Sequence, residues 1–195
     1  MGDQDVLDMV LQSDIDKIRL TLEEIDRESF DKAADAIVAA RRIYIVGLRS
    51  SASIATFLGF YFNLIFDNVV MISANTVSEV LESLLRVGEG DVVIGISFPR
   101  YSSRAVQAMS FARDRGATTI AITDSEVSPL ASIAQYTLKA RSDMASFVDS
   151  LVAPLSLVNA LLVAVSRKKN EDLSKTFETL EKIWEEYGVY EKTLE

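Results

Sequence analysis

Short apolar segments alternate with longer helical segments along most of the chain, and this alternation limits the fold more than any other feature. Five segments rich in Val, Ile, Thr and Tyr have the length and composition of β-strands, at residues 43–46, 69–72, 92–96, 119–122 and 136–138. The helices between and after them are expected to begin near Ser51, Thr76, Ser102, Ser128 and Ser146. Strands that alternate with helices pair in parallel through right-handed crossovers, and helices cover both faces of the sheet. The sequence therefore predicts an α/β fold, a three-layer α-β-α sandwich with a five-stranded parallel sheet in flavodoxin-like order.

Amphipathic helices are predicted at both ends of the chain. Apolar residues recur at helical spacing over residues 5–25, a second helix follows over about residues 28–40, and a closing helix covers residues 171–187. No Pro/Gly-rich linker or internal repeat divides the 195 residues, a length that suits one core. We therefore predict one domain over residues 29–195, preceded by an N-terminal helix in residues 1–28.

Residues 146–166 are almost wholly apolar and long enough to cross a bilayer. Asp149, Pro154 and Asn159 interrupt this segment, and no second segment resembles it. A helix that is apolar all round is also expected in the centre of a core or at a subunit interface. A buried helix is therefore favoured over a membrane span.

The composition excludes several kinds of chemistry. The chain has no Cys and no His, which excludes thiol nucleophiles, disulfides and imidazole groups, so acid or base chemistry would depend on carboxylates, Lys or Tyr. A formal net charge of -9 opposes nucleic-acid binding by this chain. The acidic, polar start of the sequence does not resemble a secretory signal, and a cytoplasmic location is expected.

Two serine-rich turns follow the first and third predicted strands. The first reads Gly47-Leu48-Arg49-Ser50-Ser51, and the second reads Ser97-Phe98-Pro99-Arg100-Tyr101-Ser102-Ser103. In a flavodoxin-like sheet the carboxyl ends of the first and third strands are neighbours, and ligands bind just outside them. We therefore expect both turns to line one site.

Each of these turns leads into a helix N-terminus, where unpaired backbone N–H groups and the helix dipole favour an anion. Gly47 permits a tight exit from the strand, while the serine hydroxyls add donors. Arg49 and Arg100 can contact phosphate oxygens through two nitrogens at once. One serine at a helix start is often only an N-cap. Serines doubled at two converging turns favour an anion site, built without a metal or cofactor.

The common nucleotide-phosphate motifs are absent from the sequence. The chain has no G-x-x-x-x-G-K-[ST], and no G-x-G-x-x-G follows the first predicted strand. A small phosphorylated molecule is therefore a better match to the two turns than a nucleotide.

The segments 43–51 and 91–102 resemble the SIS (sugar isomerase) domain of RpiR/MurR-type transcriptional regulators. The resemblance continues in residues 121–125 and 146–156, and covers roughly residues 30–165. It implies the flavodoxin-like fold and a site for a sugar phosphate.

In the wider SIS superfamily, the turn after the third strand commonly reads S-x-S-G-x-[ST], and its hydroxyls hold the phosphate. Ser97 and Ser102 match the first and last hydroxyl residues of that pattern, while Ser50 and Ser51 match the serines of the first turn. Pro99-Arg100 replaces the middle S-G, which removes one hydroxyl and adds a cation.

The resemblance also implies a sensor. Regulators of this family carry an N-terminal helix-turn-helix domain before the SIS domain, and residues 5–25 resemble the helix that connects the two. Contact with DNA is then expected only through a helix-turn-helix domain absent from this chain, whether the chain is a truncated effector domain or a natural lone SIS protein. SIS domains usually dimerise, so a homodimer or homotetramer is expected.

The alternative is an aldose-ketose phosphosugar isomerase. Such enzymes need a base, usually Glu or His, and often a His that opens the sugar ring, which this chain lacks. Glu79 resembles a residue that faces the sugar in related enzymes, or it is a favourable acid in the first turn of a helix. Asp149 can contact a sugar hydroxyl or help to cap the late helix, and Tyr101 can stack on the sugar or cover its turn.

The expected function is a phosphosugar-binding effector domain of a transcriptional regulator of carbohydrate metabolism, in which binding changes the quaternary arrangement. No catalytic residue and no cofactor are assigned. The expected ligand-binding residues are Gly47, Arg49, Ser50, Ser51, Glu79, Ser97, Arg100, Tyr101 and Ser102.

Overall fold

A parallel sheet and its helices make up the computed structural model, which describes residues 3–73, 76–144, 147–169 and 172–190. The strands are β1 (Ile43–Gly47), β2 (Val69–Ile72), β3 (Val92–Ile96), β4 (Thr118–Thr123) and β5 (Tyr136–Lys139). The helices are α1 (Asp3–Glu24), α2 (Arg27–Ala39), α3 (Ser51–Ile65), α4 (Val77–Ser83), α5 (Ser103–Asp114), α6 (Val152–Lys169) and α7 (Asp172–Glu186). All strands pair in parallel in the order β2-β1-β3-β4-β5, which is the flavodoxin-like order. The predicted fold class is confirmed.

Two apolar cores lie on opposite faces of the sheet, because successive side chains of a strand point to opposite faces. Ile43 and Ile45 of β1 join a core that includes residues of α2, α3 and α6. Tyr44 and Val46 of the same strand join a second core with residues of α4 and α5. The central strands β1 and β3 are buried along their whole length, as a doubly covered parallel sheet requires.

The helix predicted near Ser128 is wrong, because residues 126–133 form turns. The Ser128 hydroxyl accepts the N–H of Ala131 at 3.1 Å, so it caps a turn of this segment. Immediately afterwards the Gln135 N–H donates to the carbonyl of Thr119 at 2.9 Å, which returns the chain to the sheet. The connection from β4 to β5 is therefore made of turns rather than of a helix.

The last long helix begins later than expected. Ser146, its predicted start, lies outside the described residues, and residues 147–151 are not helical. The helix α6 begins at Val152, which places Pro154 in its first turn. Proline has no N–H and is tolerated there, whereas a start near residue 146 would place it in the helix interior. Residue 171, the predicted start of the closing helix, also lies outside the described residues.

The helix α1 packs on α6 through one face and leaves another face in solvent. Lys17 and Thr21 are buried on the packed face. The exposed face carries a row of apolar side chains at spacings of three and four residues: Leu11, Ile15, Ile18 and Leu22. In the described part of the chain, no helix combines the length and hydropathy needed to span a membrane.

Candidate functional site

The turns after β1 and β3 lie side by side, because these strands are neighbours in the sheet. Together they line a cavity of about 180 Å³. Its wall contains Leu48, Arg49, Ser50, Ser51, Ser97, Phe98, Pro99, Arg100, Ser102 and Asp149. The structure therefore brings together six of the nine site residues expected from the sequence, and adds Asp149 to them.

The first turn brings α3 very close to the end of β1. A Cβ atom on Gly47 would lie 2.7 Å from the Ala55 Cβ and 2.7 Å from the Ser51 carbonyl oxygen, so only glycine fits. Arg49 adopts a φ of 59°, in the left-handed region that few non-glycine residues occupy. The Ser50 hydroxyl makes no capping bond to α3, which leaves it for other partners.

The second turn is held by two buried serines. The Ser97 hydroxyl oxygen accepts the N–H of Ser102 at 3.0 Å, and the Ser102 hydroxyl oxygen accepts the N–H of Ala105 at 3.4 Å as the N-cap of α5. A serine hydroxyl has one hydrogen to donate as well as lone pairs that accept. Both hydroxyls therefore act as acceptors towards the protein, and their hydrogens remain for an acceptor in the cavity.

Positive potential converges on this cavity from two kinds of group, helix N-termini and arginines. The helices α3 and α5 both begin at its wall, and their N-termini each carry about half a positive charge. Within the described residues, neither Arg49 nor Arg100 takes part in an ion pair. The carboxylate of Asp149 lies in the wall beside them. The arrangement suits an anion that is also a hydrogen-bond acceptor.

Three expected site residues lie outside the wall of this cavity. Gly47 lies beneath it, where its lack of a side chain admits α3. Tyr101 lines a neighbouring cavity, and its hydroxyl donates to the Asp124 carboxylate at 2.8 Å. Burial, followed by this hydrogen bond, raises the pKa of Tyr101 above its ordinary value, so its hydroxyl stays protonated.

Glu79 forms a capping box at the start of α4. Its carboxylate accepts the N–H of Thr76 at 3.1 Å, while its own N–H donates to the Thr76 hydroxyl at 3.2 Å. The sequence left two roles open for Glu79, an acid in the first turn of a helix or a contact with the sugar, and these bonds belong to the first role. The contact with a ligand stays a prediction.

The segment that carries Asp149 is also bonded to α1. The Ser150 hydroxyl donates to the Asp14 carboxylate at 2.7 Å, and that carboxylate pairs with buried Lys17 at 3.3 Å. Nearer the C-terminal end of α1, the Thr21 hydroxyl accepts the backbone N–H of Arg141 at 3.0 Å. The Arg141 guanidinium also binds the Glu24 carboxylate. The segment between β5 and α6 is thus attached at two places to the C-terminal half of α1.

Sequence reasoning named Asp149 but did not assign it to the site. Its distance along the chain from both turns hid the contact, which forms only when the segment before α6 folds over the carboxyl end of the sheet. Among the described residues, no group of three or more acidic side chains is arranged to hold a metal ion.

Comparison with known proteins identifies the family. The model of the SIS domain family matches residues 36–164. Among curated proteins, an HTH-type transcriptional regulator of Caldanaerobacter subterraneus is 29% identical over 167 residues, and one of Haemophilus influenzae is 29% identical over 150 residues. These alignments cover 84% and 73% of this chain but only 58% and 51% of the relatives. The chain thus spans little more than half the length of these regulators.

Solved structures agree with this assignment. The sugar isomerase domain of an RpiR transcription factor from Sphaerobacter thermophilus is 30% identical, with a TM-score of 0.84 over 89% of this chain and 97% of that one. The Vibrio vulnificus NanR protein complexed with ManNAc-6P has a TM-score of 0.80 at 21% identity, over 94% and 69% of the two chains. Phosphoheptose isomerase from Neisseria gonorrhoeae shares the fold at a TM-score of 0.73 and 16% identity, over 85% and 100%. The chain therefore belongs to the SIS domain family, among the domains of RpiR-type transcription factors.

Proposed function

We propose that this chain is the phosphosugar-binding effector domain of a transcriptional regulator of carbohydrate metabolism. The observation that carries the proposal is the cavity in which two helix N-termini, two serine hydroxyls with hydrogens to donate, and two arginines that form no ion pair with any described residue converge. A phosphate group has the negative charge and the acceptor oxygens that such a wall binds best. The relatives that are transcriptional regulators, and the NanR protein complexed with ManNAc-6P, favour a sugar phosphate and a regulatory role.

In this proposal the phosphate lies across the two turns. Hydroxyl and backbone N–H donors come from Ser50, Ser51, Ser97 and Ser102. Guanidinium groups that can each bind two phosphate oxygens come from Arg49 and Arg100. Asp149 accepts hydrogen bonds from sugar hydroxyls, since its carboxylate lies in the same wall and repels the phosphate itself. Gly47 and Tyr101 shape the two turns rather than contact the phosphate.

A specific observation favours the isomerase as a second candidate, because Asp149 is a carboxylate at the cavity where a base would be needed. The shared fold of phosphoheptose isomerase is compatible with it. The sensor is preferred because the chain has no His to open the sugar ring and because the relatives in sequence are regulators.

The ligand signal is proposed to reach α1 through the loop that carries Asp149. A ligand that engages Asp149 fixes the adjacent Ser150, whose hydroxyl holds Asp14 of α1. Arg141 holds the C-terminal part of α1 through Thr21 and Glu24. We assign residues 1–28 to a connecting helix and residues 29–195 to the sensor domain, so that a shift of α1 would alter a DNA-binding domain attached to it.

The unit that binds the ligand is proposed to be a homodimer, or a homotetramer built from dimers. Leu11, Ile15, Ile18 and Leu22 follow the heptad spacing of a helix–helix seam, and each is more than a third exposed. Beside the seam, an apolar cavity of about 250 Å³ opens between α1, α2 and α6. A second copy related by a two-fold axis would cover both surfaces, and a dimer suits the two half-sites of an operator. This regulator would act in the cytoplasm.

A thermal-shift screen with hexose, pentose and amino-sugar phosphates tests the proposal. A ligand at one hundred times its Kd stabilises the folded state by about 2.7 kcal/mol, which for a chain of this size raises Tm by roughly 5–10 °C. Inorganic phosphate and the unphosphorylated sugars serve as controls. A folded protein that responds to none of the phosphosugars would contradict the assignment.

Any phosphosugar that binds is then incubated with the protein and followed by NMR, with light scattering of the same sample. We expect no interconversion of aldose and ketose and a mass of at least two chains of 21.5 kDa. Steady isomerisation would replace the sensor by the enzyme.

A further inference from the structure

The carboxylate of Asp149, which lies in the wall of the candidate site, has no hydrogen-bond partner among the described residues. Its position therefore depends on the backbone that carries it. Residues 147–151 are not helical, and the exposed fractions of Phe147 and Val148, which precede Asp149, are 85% and 58%. Packing of these two side chains therefore contributes little to holding Asp149 in place.

The residue that follows Asp149 is bonded to α1. The Ser150 hydroxyl donates to the Oδ1 atom of Asp14 at 2.7 Å. The same Oδ1 atom lies 3.3 Å from the Nζ of Lys17, and this Nζ also donates to the Ser13 hydroxyl at 2.8 Å. These bonds, called here the Lys17 network, connect the segment at the cavity to a helix far away in the sequence.

The burial of Lys17 fixes the far end of the Lys17 network. Lys17 is only 5% exposed, whereas the side chains of the Arg19–Asp16 pair on the same helix are 63% and 43% exposed. A buried ammonium that loses its carboxylate is strongly destabilising, so Asp14 is held beside Lys17. Asp14 is therefore a fixed acceptor for the Ser150 hydroxyl.

We propose that Asp14 and Lys17 are positioning residues of the ligand site. They act on the sugar through Asp149, whose backbone neighbour Ser150 they hold. The inference rests on the proposed phosphosugar function and adds α1 to the unit that recognises the sugar, although the SIS family model matches only residues 36–164. The phosphate is bound by the two serine-rich turns, which are outside the Lys17 network. Because coupling between two sites is reciprocal, a displacement of α1 lowers the affinity for the sugar.

Calorimetric titration of Ser150→Ala with a phosphosugar identified in the screen tests this inference. Loss of the hydroxyl releases the segment that carries Asp149, so we expect Kd for the phosphosugar to rise about tenfold. Kd for inorganic phosphate, measured by NMR titration, should stay within about twofold of the parent, because the serine-rich turns are unchanged. Asp14→Ala should have the same selective effect, whereas Ser150→Thr keeps the hydroxyl and should retain the affinity.

Asp16→Ala is the matched control for Asp14→Ala. Asp16 also pairs with a base three residues further along α1, Arg19 at 3.0 Å, but both side chains are exposed. The control should keep the affinity for both ligands, and melting curves verify that all variants are folded. Ser150→Ala that binds the phosphosugar as tightly as the parent, or that loses inorganic phosphate to the same extent, would overturn the positioning role.

A double-mutant cycle separates positioning of Asp149 from a general weakening of the fold. Asp149→Ala alone should weaken phosphosugar binding about tenfold, and Ser150→Ala added to it should cause no further loss, because the Lys17 network acts through Asp149. If the parent binds the phosphosugar and the two losses multiply, the positioning role is overturned and the phosphosugar site stands. If the parent binds no phosphosugar, the proposed function itself is overturned.

Discussion

Replacing Ser97 with alanine removes a hydroxyl that has both a structural and a binding role in the proposed site. Ser97 is 3% exposed, and its oxygen accepts the N–H of buried Ser102 at 3.0 Å. A buried N–H left without a partner costs about 1–3 kcal/mol. For a domain of this length each kcal/mol lowers Tm by about 2–4 °C, so we expect Ser97→Ala to melt roughly 5 °C below the parent. Loss of one donor to a charged phosphate should also weaken ligand binding by about tenfold.

The measurement is a melting curve by circular dichroism, followed by calorimetric titration of a phosphosugar identified in the screen. Ser132→Ala is the matched control, since the exposed Ser132 hydroxyl donates to the Pro129 carbonyl away from the cavity. We expect the control to keep the Tm and affinity of the parent. The reasoning is refuted if Ser97→Ala melts within about 1 °C of the parent and binds the ligand equally well.

Two further changes test how the site is held. Gly47→Ala should lower the free energy of unfolding by about 1–3 kcal/mol and weaken ligand binding, because its Cβ would lie 2.7 Å from the Ala55 Cβ and displace α3. Gly88→Ala is the control, since the nearest atom to its Cβ would be 3.7 Å away, and it should change Tm and affinity far less. Glu24→Gln tests the attachment of α1. The guanidinium of Arg141 lowers the pKa of Glu24 in the folded protein. The Glu24–Arg141 pair therefore stabilises the fold above the unfolded-state pKa of about 4.3, and this stabilisation is lost as pH falls through the lower pKa of the folded state. The difference in Tm between Glu24→Gln and the parent should therefore vanish in acid. A difference that stays constant with pH would contradict the stabilising role of this pair.

The strands and the two serine-rich turns are local features, which is why they could be predicted from the sequence. Each strand is an apolar run that ends at a turn residue, and the order of parallel strands then determines which turns are neighbours. Ser51, Ser97 and Ser102 were expected at one site for that reason, and they line one cavity.

The parts that could not be predicted depend on contacts between distant segments. Asp149 reaches the cavity because residues 147–151 are not helical and α6 begins only at Val152. Serine is a preferred N-cap, which favours a helix start at Ser128, but the Ser128 hydroxyl caps only a turn, and Gln135 then bonds to Thr119 of β4.

The left-handed backbone of Arg49 places two selective pressures on one residue. A side chain in that region costs on the order of 1 kcal/mol relative to glycine. Glycine at this position would relax the turn and raise the thermal stability of the domain, yet it would remove a guanidinium from the wall of the candidate site. Selection for heat resistance and selection for ligand affinity therefore act in opposite directions on residue 49. A heat-adapted relative that still senses the same ligand should retain the arginine and acquire its stability elsewhere in the sheet and helices.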